Sequence, residues 1–201
     1  MNFPEDLILP QEATLGTQYQ TQSEETHGGK RPKNRIGSAH QWKLEITTPE
    51  LDFKRSMRLF AFIHSLQGQF QNFSIRNPIP AIGVGVNVGA TVAVTAEQFS
   101  TLITIERAFG GQLSSGDLIS FSNHPKVYMV INDASANSQG KLVVDISPPL
   151  FQRISKGGAV HTGNNVYFSM EMTKDSYELS LNAKSAKEQK LVLQMEEAWR
   201  A

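Results

Sequence analysis

Residues 40–78, HQWKLEITTPELDFKRSMRLFAFIHSLQGQFQNFSIRNP, decide the fold of the chain around them. From His40 to Thr47 apolar and polar side chains alternate, which predicts a half-buried strand with one apolar face formed by Trp42, Leu44 and Ile46. Phe73 and Ile75 alternate in the same way and predict a second strand, which Asn77–Pro78 ends.

The segment between these two strands predicts an amphipathic helix over residues 50–67. Thr48 offers an N-cap hydroxyl, Pro49 suits the first helical position, and Glu50 suits the positive end of the helix dipole. Gly68 is expected to stop the helix. Apolar residues at helical spacing predict a broad face that covers a sheet: Phe53, Met57, Phe60, Ile63 and Leu66, widened by Leu59 and Phe62.

Composition excludes several classes of protein. The 201 residues carry 19 Lys and Arg against 19 Asp and Glu, so no net charge draws the chain to polyanions or acidic substrates. The absence of cysteine excludes disulfides, thiolate zinc sites and cysteine nucleophiles. No apolar run approaches the roughly 18 residues that span a bilayer, and no basic and apolar signal segment opens the sequence. We expect a soluble protein without a membrane anchor, made in a cytoplasm.

A basic segment precedes the first strong strand. Residues 30–35 hold four cations in six positions, Lys30, Arg31, Lys33 and Arg35, with glycines before them. One interpretation is a solvated, mobile loop. The other is an arm that docks on a neighbouring subunit or a polyanion, for which Glu24–Glu25 of an adjacent copy could be the counterpart. Farther upstream, Leu7–Leu9 could form a short first strand.

The middle of the chain changes in character. Proline and glycine between residues 79 and 85 indicate a linker, and the spacing of Gly83, Gly85 and Gly89 does not match a dinucleotide-binding loop. Residues 90–163 predict five or six short strands and a small β-barrel, of which the OB type is one solution. Cations and carboxylates balance five against five there, and the aromatic residues are expected in the core rather than on a stacking surface: Phe99, Phe109, Phe121, Tyr128 and Phe151.

Alternating apolar residues return near the C-terminus. Residues 166–172 predict a strand, and Tyr177, Leu179 and Leu181 predict its partner in an antiparallel hairpin. Residues 189–196 fit either a strand or a capped helix, and we favour the strand.

The whole pattern predicts a mainly β (α+β) chain. Its expected parts are a β-sandwich-like N-terminal domain with one covering helix and a small OB-type β-barrel that interrupts it. The parent domain would comprise residues 1–85 plus 164–201, and the inserted barrel residues 86–163.

No pattern points to catalysis. The five histidines are scattered without metal-ligand spacing, and each is expected in a loop or at the surface: His27, His40, His64, His124 and His161. Neither a nucleophile elbow nor a phosphate-binding loop occurs. We expect no enzyme activity, no catalytic residue, no metal site and no cofactor.

Two runs resemble a known family. Residues 30–78 are similar to the N-terminal domain of phage distal tail proteins, in which a basic loop, a Trp-bearing strand, a Thr-Pro-Glu-Leu helix start, a Gly-Gln helix end and an Asn-Pro strand end follow one another. The matching residues here are Lys30–Arg35, Trp42, Thr48–Leu51, Phe62–Gln69 and Asn77–Pro78. A second run resembles the inserted OB-type domain of these proteins in siphophages with Gram-negative hosts: Ser115–Ile119, His124–Tyr128 and Val144–Leu150.

The resemblance implies a structural protein of the phage tail tip. Members of the family form a hexameric ring, in which the N-terminal domain builds the ring and the inserted domain faces outward. The implied partners are further copies of the chain, the tail tube protein, and the tail hub and fibre proteins, with DNA only as cargo through the lumen. The protein would lie in the virion after synthesis in the host cytoplasm, and Lys30, Arg31, Lys33 and Arg35 would suit subunit contacts. The alternative is an OB-type binding module for host glycans or single-stranded nucleic acid.

Overall fold

The computed structural model describes residues 1–4, 12–23, 33–86, 88–178 and 190–198, without the side chains of residues 20, 22, 23 and 33–39. Contacts divide the chain into two compact units. Unit 1 comprises Met1–Gly16, Trp42–Pro80 and Tyr167–Ala201, and unit 2 comprises Thr17–Gln41 and Ala81–Val166. The predicted domain boundaries, residues 1–85 plus 164–201 and residues 86–163, stay a prediction.

The prediction of a mainly β chain with one covering helix is confirmed over these residues. The elements, in chain order, are β1 (Glu12–Ser23), β2 (Lys33–Thr47), α1 (Phe53–Ser65), β3 (Phe73–Arg76), β4 (Thr91–Val92), β5 (Leu102–Glu106), β6 (Gln112–Leu113), β7 (Leu118–Phe121), β8 (His124–Val130), β9 (Ala134–Ser135), β10 (Leu142–Ser147), β11 (Val160–Thr162), β12 (Tyr167–Met172) and β13 (Val192–Glu197). A short 3-10 turn at Gly163–Asn165 lies between β11 and β12.

A five-stranded sheet in the order β1–β2–β13–β12–β3 contains the strands of unit 1, whereas residues 17–23 of β1 and 33–41 of β2 belong to unit 2. β12 lies antiparallel to β3, with Met170 opposite Phe73, and antiparallel to β13. The predicted apolar face of β2 is confirmed, because Trp42, Leu44 and Ile46 are all buried. Phe73 and Ile75 of β3 are buried as predicted.

The start of α1 differs from the prediction. The N-cap is Asp52, whose carboxylate accepts a hydrogen bond from the Arg55 amide at 2.8 Å. Thr48 was the wrong candidate because its buried hydroxyl serves β13 instead, accepting a bond from the Leu191 amide at 2.9 Å. The helix ends at Ser65, and Gly68 follows with a φ of +70°. A side chain at Gly68 would collide with the Asp175 carboxylate, because a Cβ there would lie 2.5 Å from Asp175 Oδ1, so glycine is required.

The buried face of α1 is narrower than predicted. Leu59, Ile63 and Leu66 are buried, as is Ser56, whereas the side chains of Phe53 and Met57 are exposed. Phe62 packs edge-on against Phe3 and Phe73, with ring centroids 5.1 and 5.6 Å away. The sheet therefore holds the helix mainly through its C-terminal half.

The C-terminal strand prediction is confirmed, since β13 is a strand that pairs with β2 through Leu193 opposite Ile46. The predicted hairpin after β12 stays a prediction; in the described part of the chain β12 pairs with β3 and β13. Leu179 and Leu181 of that hairpin, and the possible strand at Leu7–Leu9, lie outside the described residues.

A curled six-stranded sheet in the order β11–β7–β8–β10–β5–β4 forms most of unit 2, and β6 and β9 make a separate pair. Backbone hydrogen bonds also connect its two edge strands, from the Val92 amide to the Gly158 carbonyl and from the Val160 amide to the Ala90 carbonyl. Curling lets the inward side chains of all six strands meet in one apolar core. Its largest members are Tyr128, Phe121, Ile103, Ile105, Ile119, Ile146, Ile154, Leu113, Leu142 and Leu150.

Candidate interaction site

The turn Ser115–Gly116–Asp117, one of the runs that carries the family resemblance, is a structural clamp. The buried Asp117 carboxylate accepts hydrogen bonds from the amides of Ile82 at 2.6 Å, Gly83 at 3.0 Å and Ser114 at 2.8 Å. An ionised carboxylate is a strong acceptor for backbone N–H groups, so these bonds fix the linker against the curled sheet. Gly83 is needed because a Cβ there would lie 2.7 Å from Asp117 Oδ2.

The fixed linker presents apolar side chains to solvent. Gly85 exchanges two backbone hydrogen bonds with Gln112, and the Val86 amide donates to Thr162 Oγ1 at 3.2 Å. The side chains of Ile82, Val84 and Val88 are nevertheless exposed. This ridge is a candidate protein-contact surface, because its backbone is already ordered before any partner arrives.

A buried polar cluster ties the β1–β2 hairpin to the curled sheet within unit 2. The Lys126 ammonium donates to the His40 carbonyl at 2.8 Å and to His40 Nδ1 at 3.1 Å. His40 Nε2 therefore carries the ring proton and donates to Thr17 Oγ1 at 2.8 Å. Lys126 and His40 are almost wholly buried, so the cluster replaces water around a charged group with protein acceptors.

A second buried histidine, His124, is hydrogen-bonded in its neutral form. The Phe151 amide donates to the Tyr128 hydroxyl at 3.0 Å, and that hydroxyl donates to His124 Nε2 at 2.7 Å. His124 Nδ1 can then donate to Asn123 Oδ1 at 2.9 Å. Burial, with the Lys126 charge as a second cause, lowers the pKa of His124 from 6.5 to about 4.

The histidine predictions were partly wrong. His40 and His124 are buried rather than at the surface, and both ring nitrogens of each are engaged in hydrogen bonds. His64 is exposed, His161 is half-buried, and His27 lies outside the described residues. Among the described residues no group of His, Asp and Glu side chains could hold a metal ion. No helix of the described ranges is long and apolar enough to cross a membrane.

The prediction that the aromatic residues of unit 2 lie in the core was also partly wrong. Phe121 and Tyr128 lie in the core as expected, whereas Phe99 and Phe109 are exposed and Phe151 is half-buried. Phe99 has a φ of +70°, a left-handed conformation that costs a bulky residue free energy. The Phe99 amide donates to the Leu150 carbonyl at 2.9 Å, which fixes the backbone that carries the exposed ring.

A contiguous exposed surface crosses β8, β10 and β5, and we call it the Asp145 patch: Tyr19, Leu102, Ile131, Val143 and Asp145. Leu102 lies opposite Asp145 in the β5–β10 register, and the Ile131 amide bonds to the Asp145 carbonyl from the other side. Val143 is two residues from Asp145 on the same outward face of β10. The Tyr19 hydroxyl reaches Ser147 Oγ at 2.9 Å and so borders the patch.

Of the predicted interface residues, Lys33 and Arg35 lie in β2, but their side chains are not described, and Lys30 and Arg31 lie outside the described residues. Their role in subunit contacts stays a prediction.

Lys126 was missed by sequence reasoning. Its position could have been recognised from the alternation in β8, because Lys126 lies between His124 and Tyr128 on the inward face of the strand, where a lysine needs buried partners.

Comparison with known proteins gives a match to a protein family. Residues 83–161 match the model described as the distal tail protein pb9, B domain. This match supports a phage distal tail protein family and indicates a structural component of a phage tail. No curated protein matches the chain.

Proposed function

We propose that this chain is a tail-tip adaptor: a hexameric ring that joins the tail tube to the hub and fibre proteins around a lumen through which DNA passes. The observation that carries the proposal is the match of residues 83–161 to the distal tail protein B domain. In this proposal residues 86–163 are an OB-type domain inserted into a ring-forming domain, as in siphophages. The protein acts without catalysis and lies at the virion tail tip after synthesis in the host cytoplasm.

Physical features of the described residues support a role in assembly. Polar groups with catalytic chemistry, such as His40, Lys126 and His124, are buried and bonded to protein atoms, whereas ordered apolar side chains lie outside. Subunits of a closed ring meet through two different, complementary surfaces, which need extended contact area rather than a pocket. The proposal assigns one of these surfaces to Lys30, Arg31, Lys33 and Arg35.

Mass and shape test the ring directly. We expect light scattering and negative-stain imaging to find six copies around an open centre, either for the chain alone or after addition of the tail tube protein. A monomer under both conditions, without affinity for the tube protein, would refute the proposal.

A charge variant tests the proposed interface. Replacing Lys30, Arg31, Lys33 and Arg35 with Ser is expected to weaken assembly and to leave the circular dichroism spectrum unchanged. The matched control removes four exposed charges elsewhere, at Lys54, Lys156, Lys174 and Lys190. Equal assembly of the two variants would show that residues 30–35 are only a solvated loop.

The exposed rings of Phe99 and Phe109 favour a second candidate function, an OB-type module that binds host glycans or single-stranded nucleic acid through stacking. The balanced charge of residues 90–163 disfavours nucleic acid. Saturable binding of a glycan or an oligonucleotide by the full chain, lost in Phe99→Ser but not in Phe70→Ser, would support this candidate. Phe70 is the control because it is also an exposed phenylalanine.

A further inference from the structure

We infer that the Asp145 patch is the docking site for the basic segment, residues 28–37, of a second copy of the chain. The inference rests on the proposed assembly and names the surface that receives the predicted basic arm. It is carried by the apolar exposure of the patch, by its charge and by the position of Tyr19.

The patch has the composition of a protein-contact site. Leu102 and Val143 are 63% and 59% exposed, and Tyr19 and Ile131 are 42% and 41% exposed. Leu102 and Ile131 lie opposite Asp145 on its two neighbouring strands, where facing side chains are about 5 Å apart. Val143 is two residues along β10, so these three apolar side chains form one surface around Asp145, with Tyr19 at its border. The strands beneath them belong to the core sheet of unit 2, which makes the surface rigid.

The charges around the patch suit a basic partner. The outward faces of β5 and β10 carry two carboxylates, Glu106 and Asp145, and neither strand contains a lysine or an arginine. Asp145 accepts a hydrogen bond from Asn132 Nδ2 at 3.2 Å, and no ion pair to it occurs among the described residues. Residues 28–37 carry four cations and no carboxylate, which is the complementary chemistry.

The proposal assigns the occupant to another copy of the chain. Tyr19 belongs to β1, and its bond to Ser147 already places this hairpin at the border of the patch. Leu102 and Val143 remain exposed beside it. The same acidic surface repels the phosphates of a nucleic acid, so a protein segment with Lys and Arg is the partner that fits.

Peptide binding tests the docking site without requiring a ring. A fluorescent peptide of residues 28–37, GGKRPKNRIG, is titrated with the full chain and followed by anisotropy. We expect saturable binding that weakens as salt rises, and that is about tenfold weaker for Leu102→Ser and for Asp145→Lys. The Phe53→Ser chain, which loses a similarly exposed apolar side chain on α1, should bind like the unchanged chain. A peptide with its four cations replaced by Ser should not bind.

Charge exchange tests the contact within the assembly. Asp145→Lys and Arg35→Glu should each reduce assembly in light scattering, and the double variant should recover it. Equal peptide binding by all variants, or peptide binding by none, overturns the docking site even if rings form. Patch-dependent peptide binding by a chain that never assembles keeps the docking site and refutes the proposed ring.

Discussion

Replacing Asp117 with Ala removes the clamp between the linker and the curled sheet. The substitution takes away the acceptor of three backbone amides, those of Ile82, Gly83 and Ser114. A buried donor left without an acceptor costs about 1–3 kcal/mol. Ile82 is exposed and the other two residues are half-buried, so water reaches part of the site and the low end of that range applies to each amide. We therefore expect a loss of about 3 kcal/mol in the free energy of unfolding.

Thermal unfolding followed by circular dichroism measures this loss. For a chain of this size 1 kcal/mol corresponds to about 2–4 °C, so Asp117→Ala should melt about 6–12 °C lower. Asp117→Asn, which keeps one oxygen, should fall between it and the unchanged chain. Asp133→Ala is the matched control, because exposed Asp133 accepts a single amide bond, from Ser115 at 2.7 Å. A melting temperature of Asp117→Ala no lower than that of Asp133→Ala would refute the clamp.

Three further predictions concern the other polar contacts. Lys126→Met should loosen the contact between the β1–β2 hairpin and the curled sheet, because it removes both bonds to His40, and hydrogen exchange of residues 33–41 should become faster. The free energy of unfolding should fall as the pH drops from 6.5 towards 4. The reason is that His124 binds a proton more readily in the unfolded chain than in the folded one, where its pKa is about 4. Urea unfolding at several pH values in this range measures the fall. Asp52→Ala should lower the stability by about 1 kcal/mol through loss of the N-cap, measured by the urea midpoint.

Each of these predictions has its own control. Lys156→Met changes an exposed lysine and should leave exchange in the hairpin unchanged; matching rates in the two lysine variants would contradict the hairpin contact. His124→Gln should flatten the stability profile between pH 4 and 6.5 if His124 causes the slope. Thr48→Ala, the control for Asp52→Ala, should weaken the contact with β13 and leave the helix content unchanged. Equal loss of helix content in Thr48→Ala and Asp52→Ala would show that Thr48 is the N-cap after all.

The sequence predicted best where the structure depends on local spacing. β2 and β3 follow the alternation of their apolar residues, because each strand has one face on the core. The start of α1 was missed because Thr48 and Asp52 are both good caps, and the choice depends on the Leu191 amide, 143 residues away from Thr48. No local pattern contains that contact.

The candidate site was less predictable than the fold. Exposure of Phe99 and burial of Lys126 reverse the usual preferences of both residue types, and tertiary partners decide each case. The Asp145 patch could not be derived from sequence, because Leu102, Ile131 and Val143 become neighbours only through the order of β8, β10 and β5. The resemblance named a role for Lys30–Arg35 but gave no position for its counterpart.

The order of the strands in the five-stranded sheet has a consequence for synthesis on the ribosome. β3 pairs with β12, and the six strands of the curled sheet lie between them in the chain, within residues 81–166. Local pairings form faster than distant ones, so we expect the curled sheet to fold while β2 and β3 still await β12 and β13. Until those last strands emerge, β2 and β3 offer unpaired backbone to any neighbouring nascent chain. The late arrival of β13 thus makes crowded translation the stage at which copies of this protein are most prone to pair wrongly.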